Sequence, residues 1–292
     1  MSVEKLILKI WNEKYPLDPV SPEVLRYKYL ESPYLKPVGK VVVEEAFSLS
    51  GIRTGKFLYE ADGDEGWILW AGSRNPRTLI DLIQSQISEF EKLGIRKVTY
   101  SSFTPYYFLP GVDRSAYPEL YDVLCEVGFR NRSTAISMTK PLDTMEQDPA
   151  LEIPDIQISE FDPEYKRQLL SFIEKNFNSD WYFRADTVAS KAEMEQICLA
   201  LKNGEIVGYS MFSGPEGKYW YMPGERFGPF GVREDMRGKG IGHSLLSKTL
   251  QLMRARGIKA AYFLWTDEKA SHLYERFGFR KKRIFDIMEM KL

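Results

Sequence analysis

The chain is poor in the residues that mark several common protein classes. Its 292 residues include two cysteines, Cys125 and Cys198, and two histidines, His243 and His272. Two thiols so far apart imply no disulfide framework and suit a reducing cytoplasm, the expected location. Neither histidine has ligand-type residues clustered around it, so no metal site is argued. No apolar run reaches the length of a membrane span, and none is expected. Met1 to Trp11 carries Glu4, Lys5 and Lys9, which is no secretory signal pattern. Neither charge sign dominates: 40 basic residues face 41 acidic ones, for a net charge of −1. A nucleic-acid partner usually demands a strong basic excess, so none is expected.

What is present is a chain of two-domain length with 43% apolar residues, enough for a packed core in each domain. Its most informative stretch is Arg237-Gly238-Lys239-Gly240-Ile241-Gly242. A strand is predicted before it, Phe227 to Val232, and an apolar-periodic helix after it, Ser244 to Arg256. A glycine turn opening a helix offers backbone N–H groups and the positive end of the helix dipole, which favours a pyrophosphate. The spacing excludes a Walker loop, because His243 follows Gly242. It also excludes the dinucleotide fingerprint, whose third glycine would come one residue later.

Beyond that helix, Ile258 to Trp265 reads as a strand, and Asp267-Glu268-Lys269-Ala270-Ser271-His272-Leu273-Tyr274-Glu275-Arg276-Phe277-Gly278-Phe279 follows. The two segments together resemble the closing half of the GNAT superfamily of N-acetyltransferases. That family carries Arg/Gln-x-x-Gly-x-Gly/Ala, then Asn-x-x-Ala-x-x-Leu-Tyr-Glu-x-x-Gly-Phe. Arg237, Gly240 and Gly242 fit the first motif. Ala270, Leu273, Tyr274, Glu275, Gly278 and Phe279 fit the second, with Asp267 where the family often has Asn.

The resemblance implies acetyl-CoA as the co-substrate and a primary amine as acceptor. It places the pantetheine arm along Phe230, Gly231 and Val232. The pyrophosphate would lie on Arg237, Gly238, Lys239, Gly240, Ile241 and Gly242, and Asp267 near the arm. It also makes Tyr274 the acid that protonates the departing sulfur. A phenol keeps its proton at neutral pH, which suits that task. Glu225 and Asp180 are alternative bases, and each is equally a surface carboxylate. Trp181, Tyr182, Phe183, Trp220 and Tyr221 either line an acceptor pocket or belong to the core. A non-catalytic acyl-CoA-binding module stays open as the alternative function.

The first half repeats the second in outline. Leu93-Gly94-Ile95 matches Arg256-Gly257-Ile258, and Val127-Gly128-Phe129 matches Phe277-Gly278-Phe279. The helix before Gly94 sets Leu79, Ile83, Ile87 and Phe90 on one face. The chemistry is missing from this copy. Ala71 to Arg77 holds no glycine loop, Pro76 removes a donor, and Leu124 stands where Tyr274 would. The expected architecture is α/β, two tandem mixed sheets with helices on both faces. Domain boundaries are expected at 1–143 for the degenerate copy, 144–154 for a linker and 155–292 for the acetyltransferase domain. Asp162 is a predicted cap for a helix over Pro163 to Asn176, and Asn203-Gly204 a hairpin turn. Arg280 to Arg283 reads as a solvated turn. The strand around Ile284 to Met290 is either internal or an edge that pairs with another chain as a homodimer.

Overall fold

The computed structural model describes residues 2–54, 64–143, 151–189, 197–213 and 226–292. They form two compact units. The first joins Met1–Met138 to Leu264–Leu292, and the second is Thr139–Phe263. The residues after Phe263 therefore pack with the first half of the chain, whereas the sequence grouped them with the second.

In the first unit, α1 (Val3–Lys14) starts on Ser2, whose hydroxyl accepts the Lys5 N–H. A short α2 (Pro22–Leu25) leads to strands β1 (Leu35–Pro37), β2 (Val42–Val43), β3 (Ala46–Arg53) and β4 (Glu65–Ser73). Next come α3 (Pro76–Lys92), β5 (Lys97–Tyr100), α4 (Pro118–Val127) and β6 (Arg130–Pro141). Asn75 caps α3 and Pro76 opens it, as its fixed φ allows. Leu79, Ile83, Ile87 and Phe90 are all buried, so the helical spacing read from the sequence holds. Aromatic rings fill this core: Trp11 stacks on Phe47 and on Trp70, and Phe108 tilts against it at 4.9 Å. The aromatics of the segment between β5 and α4, Phe103, Tyr106, Tyr107 and Phe108, are buried too.

In the second unit, β7 (Ile156–Glu160), α5 (Lys166–Asn176), α6 (Ser179–Ala189), β8 (Ile197–Lys202), β9 (Glu205–Phe212), β10 (Phe227–Val232) and α7 (Ile241–Ala255) follow in order. The antiparallel sheet runs β10-β9-β8-β7. Asp162 accepts the Glu164 N–H and starts the turn into α5. Asn203 and Gly204 both have positive φ, +51° and +81°, which closes the β8–β9 hairpin. Alternation along β9 assigns its faces. Gly208 and Ser210 face α7, where Leu245 and Thr249 meet them. Tyr209 faces Phe172, Phe177 and Trp181 of the α5–α6 layer.

The last elements are β11 (Ala260–Thr266), α8 (Glu268–Arg276) and β12 (Arg280–Lys291). The repeat is visible in backbone detail. Gly94 and Gly257 both sit at φ +76°, and the residue after each donates back across the helix end, Ile95 to Phe90 and Ile258 to Met253. Phe129 N–H likewise reaches the Leu124 carbonyl, and Phe279 N–H the Tyr274 carbonyl.

Strands equivalent by this repeat are exchanged. β12 pairs antiparallel with β5, with Met288 opposite Tyr100. At the start of β11, the Leu142 N–H donates to the Lys259 carbonyl and Thr139 Oγ1 to the Ala261 carbonyl, so β11 runs beside the end of β6. The larger sheet has the order β1-β3-β4-β5-β12-β6-β11, with β2 on β3. β12 is thus an interior strand, and an edge-to-edge pairing through Ile284 to Met290 is ruled out.

The supposed turn at Arg280 to Arg283 is the beginning of β12. Arg283 is deeply placed: Nε donates to Asp113 Oδ2 at 2.6 Å, Nη1 to Asp18 Oδ1 at 2.6 Å and Nη2 to Asp18 Oδ2 at 2.9 Å. Lys281, two residues before it, meets Glu268 at the surface, as the sequence implied.

Candidate active site

β10 is the edge strand of its sheet. Phe227 pairs with Phe212 and Phe230 with Ser210, so three steps on β10 answer two on β9. That one extra residue is a β-bulge, and it falls on Gly228-Pro229. Glycine and proline inside a strand are the residues a bulge tolerates. On its other side Arg226, just before β10, makes one parallel bridge to Tyr262 of β11, and no ladder continues from it among the described residues. Along that side the backbone groups of Phe230 and Val232 face away from β9, while those of Gly231 pair with Tyr209. An added strand satisfies such an edge through backbone hydrogen bonds alone.

The glycine loop lies directly beyond. The Arg233 N–H donates to the Val207 carbonyl and starts a 3₁₀ turn over Glu234–Met236. Arg237 turns back, Nε donating to the Val232 carbonyl at 3.0 Å. Lys239 Nζ donates to the Asp235 carbonyl at 3.0 Å. Gly238 and Gly240 take φ of +77° and +82°, the left-handed region that costs other residues about 1–2 kcal/mol. Gly240 is the N-cap of α7, and no side chain caps this helix, in contrast to α1, α3 and α8. The first-turn amides at Ile241 and Gly242 thus form a helix start of the anion-binding kind. Ser244 Oγ donates to the Leu151 carbonyl at 2.8 Å, and Leu151 and Ile153 lie beside Gly240, which fixes the loop from behind. A Cβ on Gly242 would stand 3.3 Å from the Phe230 ring, so loop and strand are in contact. The predicted residues from Phe230 to Val232 and from Arg237 to Gly242 are thereby gathered in one place.

Tyr274 and Asp267 share α8, in the first unit. Asp267 caps that helix, its Oδ1 accepting the Ala270 N–H at 2.6 Å. The Tyr274 ring is buried and meets Phe279 edge-on at 5.6 Å. Burial, with a smaller contribution from Asp267, pushes its phenol well above the ordinary tyrosine value. Glu225, Trp220 and Tyr221 lie outside the described residues. Asp180 lies in the first turn of α6 and is partly buried there. Among the described residues no group of histidine, cysteine and carboxylate side chains is arranged to hold a metal. None of the described helices is long and apolar enough to cross a membrane.

The corresponding groove of the first unit is filled by its own side chains. Trp67 faces Thr99 across the parallel β4–β5 pair, as Arg226 faces Tyr262. Four residues further along each strand come Ala71 and Phe230. The Ala71 N–H donates to the Tyr100 hydroxyl at 3.0 Å, and its carbonyl accepts from the Tyr15 hydroxyl at 2.6 Å. At this point of β4 two buried phenols occupy the backbone groups.

Residues 157–279 match the model of the Acetyltransferase (GNAT) family, and the chain carries a domain of that family, whose members are acyltransferases. No curated protein matches the sequence. Solved structures do resemble it in fold. A GCN5-related N-acetyltransferase from Sphaerobacter thermophilus has a TM-score of 0.71 at 18% identity, covering 99% of this chain and 94% of that one. A tandem GNAT protein from the clavulanic acid biosynthesis pathway has a TM-score of 0.61 at 11% identity, covering 99% and 94%. A GCN5-related glucosamine N-acetyltransferase region of a fungal multi-domain GH3 β-N-acetylglucosaminidase has a TM-score of 0.78 at 16% identity. The match covers 98% of this chain and 37% of that longer one.

The sequence missed three features. The bulge was legible in Gly228-Pro229. The Tyr15–Ala71–Tyr100 closure and the burial of Arg283 join residues too distant in sequence for any local signal.

Proposed function

We propose that the protein is an acetyl-CoA-dependent N-acetyltransferase acting on a primary amine. The reading rests on the outer strand β10 running into the glycine-capped start of α7. When bound, the co-substrate supplies an acyl group activated as a thioester. The backbone of Phe230 to Val232 would lie along its extended arm. The amides of Gly240, Ile241 and Gly242, with Arg237 and Lys239, would hold its pyrophosphate.

Transfer to nitrogen needs a neutral amine, although a free alkyl amine titrates near pH 10.4. Asp180 and Glu225 are the carboxylates proposed to take that proton. Tyr274 is proposed to give a proton to the departing sulfur, on its motif and on the retention of its proton under burial. Asp267 is proposed to act through the start of α8, which it caps.

The test is calorimetric titration with acetyl-CoA and CoA, with NADH as control, followed by an amine panel. Glucosamine joins lysine and spermidine in that panel, because one structural neighbour is described as a glucosamine N-acetyltransferase region. Saturable binding of both CoA forms and not NADH is expected. Absence of binding to either would remove the enzyme reading.

A further inference from the structure

α6 meets β10 on both sides of the bulge. Trp181 Cζ3 lies 2.9 Å from the place of a Cβ on Gly231. Three residues on, Arg184 Nη2 donates to the Gly228 carbonyl at 3.0 Å. Residues three apart share a helix face, so one face of α6 grips the strand at two points, one apolar and one charged. Arg184 is 8% exposed, an expensive place to keep a guanidinium.

Its partner explains the placement. The extra residue of a bulge falls out of the ladder, and a carbonyl set aside in a packed region needs a donor. Pro229 has no N–H with which to re-form pairing. A slip of one residue along β10 would turn each following side chain to the opposite face and reassign every edge group. Phe230, Gly231 and Val232 lie immediately beyond that point.

We propose that Arg184 is a positioning residue for the co-substrate strand, pinning the bulge so that the edge groups of Phe230 to Val232 keep one register. The inference rests on the co-substrate site proposed above. It connects the α5–α6 layer to that site through the Arg184–Gly228 hydrogen bond.

The experiment pairs CoA calorimetry with backbone amide exchange on Arg184→Gln and Arg184→Lys. Arg184→Gln is expected to weaken CoA binding at least tenfold. It should also speed exchange within Phe227–Val232 while leaving β8 unchanged. Arg184→Lys keeps one donor and is expected to recover most of both. A folded Arg184→Gln protein with wild-type CoA affinity and wild-type exchange in that segment would overturn the proposal. If the wild-type protein binds no CoA, the co-substrate reading fails, and exchange alone decides: a rise confined to Phe227–Val232 upholds the role of Arg184, and no rise removes it. If Arg184→Gln does not fold, Arg184→Lys decides by the same segment, where a smaller rise is expected and an unchanged rate is fatal.

Discussion

Arg237 and Val232 are joined by a 3.0 Å hydrogen bond from guanidinium to carbonyl, which ties the first residue of the glycine loop to the last residue of β10. The loop that would hold a pyrophosphate and the strand that would hold the arm attached to it are therefore fixed in one geometry. Arg237→Gln removes both the tie and a positive charge. Hydrogen bonds to charged groups contribute about 1.5–3 kcal/mol. CoA affinity should fall by roughly ten- to a hundredfold. Titration calorimetry checks this, and undiminished affinity would detach Arg237 from the site.

One CoA per chain is the expected stoichiometry. Tyr15 and Tyr100 already satisfy Ala71 in the first unit, and α3 opens on a proline in place of a glycine loop. A fitted stoichiometry near two would contradict the closure of that groove.

Much of the second unit was legible because its signals are local. A glycine loop, an Asn-Gly hairpin, a capping aspartate and a 3.6-residue apolar period each act over a few residues. The strand before Arg237 to Gly242 fell where the pattern put it, and the helix after it begins at Ile241, three residues ahead of Ser244. The exchange of β12 was not legible. The choice of β5 as its neighbour depends on packing 188 positions away, counting 288 − 100 for Met288 and Tyr100. The basic run before it misled for a related reason. Composition marks Arg283 as solvated, and only the folded chain brings Asp18 and Asp113 to it.

Arg283→Met should be strongly destabilising. It would strand two carboxylates that are almost fully buried, a loss of about 3–5 kcal/mol when one partner of a buried ion pair is removed. Urea denaturation would show a lowered midpoint. Adding Asp18→Asn to that variant should restore part of the loss, and a midpoint unmoved by Arg283→Met would show the cluster to be of little consequence.

Gly231→Ala tests the contact beneath α6. A Cβ there would come within 2.5 Å of the Phe177 ring, which is stacked on Trp181. Overpacking of this kind costs about 1–3 kcal/mol. Thermal unfolding should move down accordingly, and tryptophan emission should report the displaced Trp181 ring.

The buried tyrosines set an alkaline limit. Burial raises Tyr15, Tyr100 and Tyr274 well above the ordinary value, and pushes Tyr29 up to about 12. Below roughly pH 10 both folded and unfolded chains keep these protons, and stability does not depend on them. Above it the unfolded chain ionises first, so stability falls as pH rises toward the folded values. Phenolate absorbance from these residues should appear only together with loss of ellipticity. For the same reason Tyr274 keeps its proton across the working range. Tyr274→Phe should lower turnover by about 10²–10⁴-fold at every pH below 10, with CoA affinity unchanged.

The position of β12 also has a temporal side. During synthesis α1 through β5 leave the ribosome long before β12 exists, yet β5, paired with β4, has its second neighbour only when β12 arrives. The early half must wait with one strand edge unclosed, while β7 through β10 form from residues adjacent in sequence. A nascent chain of this design completes its older half last, and a stop codon ahead of β12 would harm the part of the protein made first.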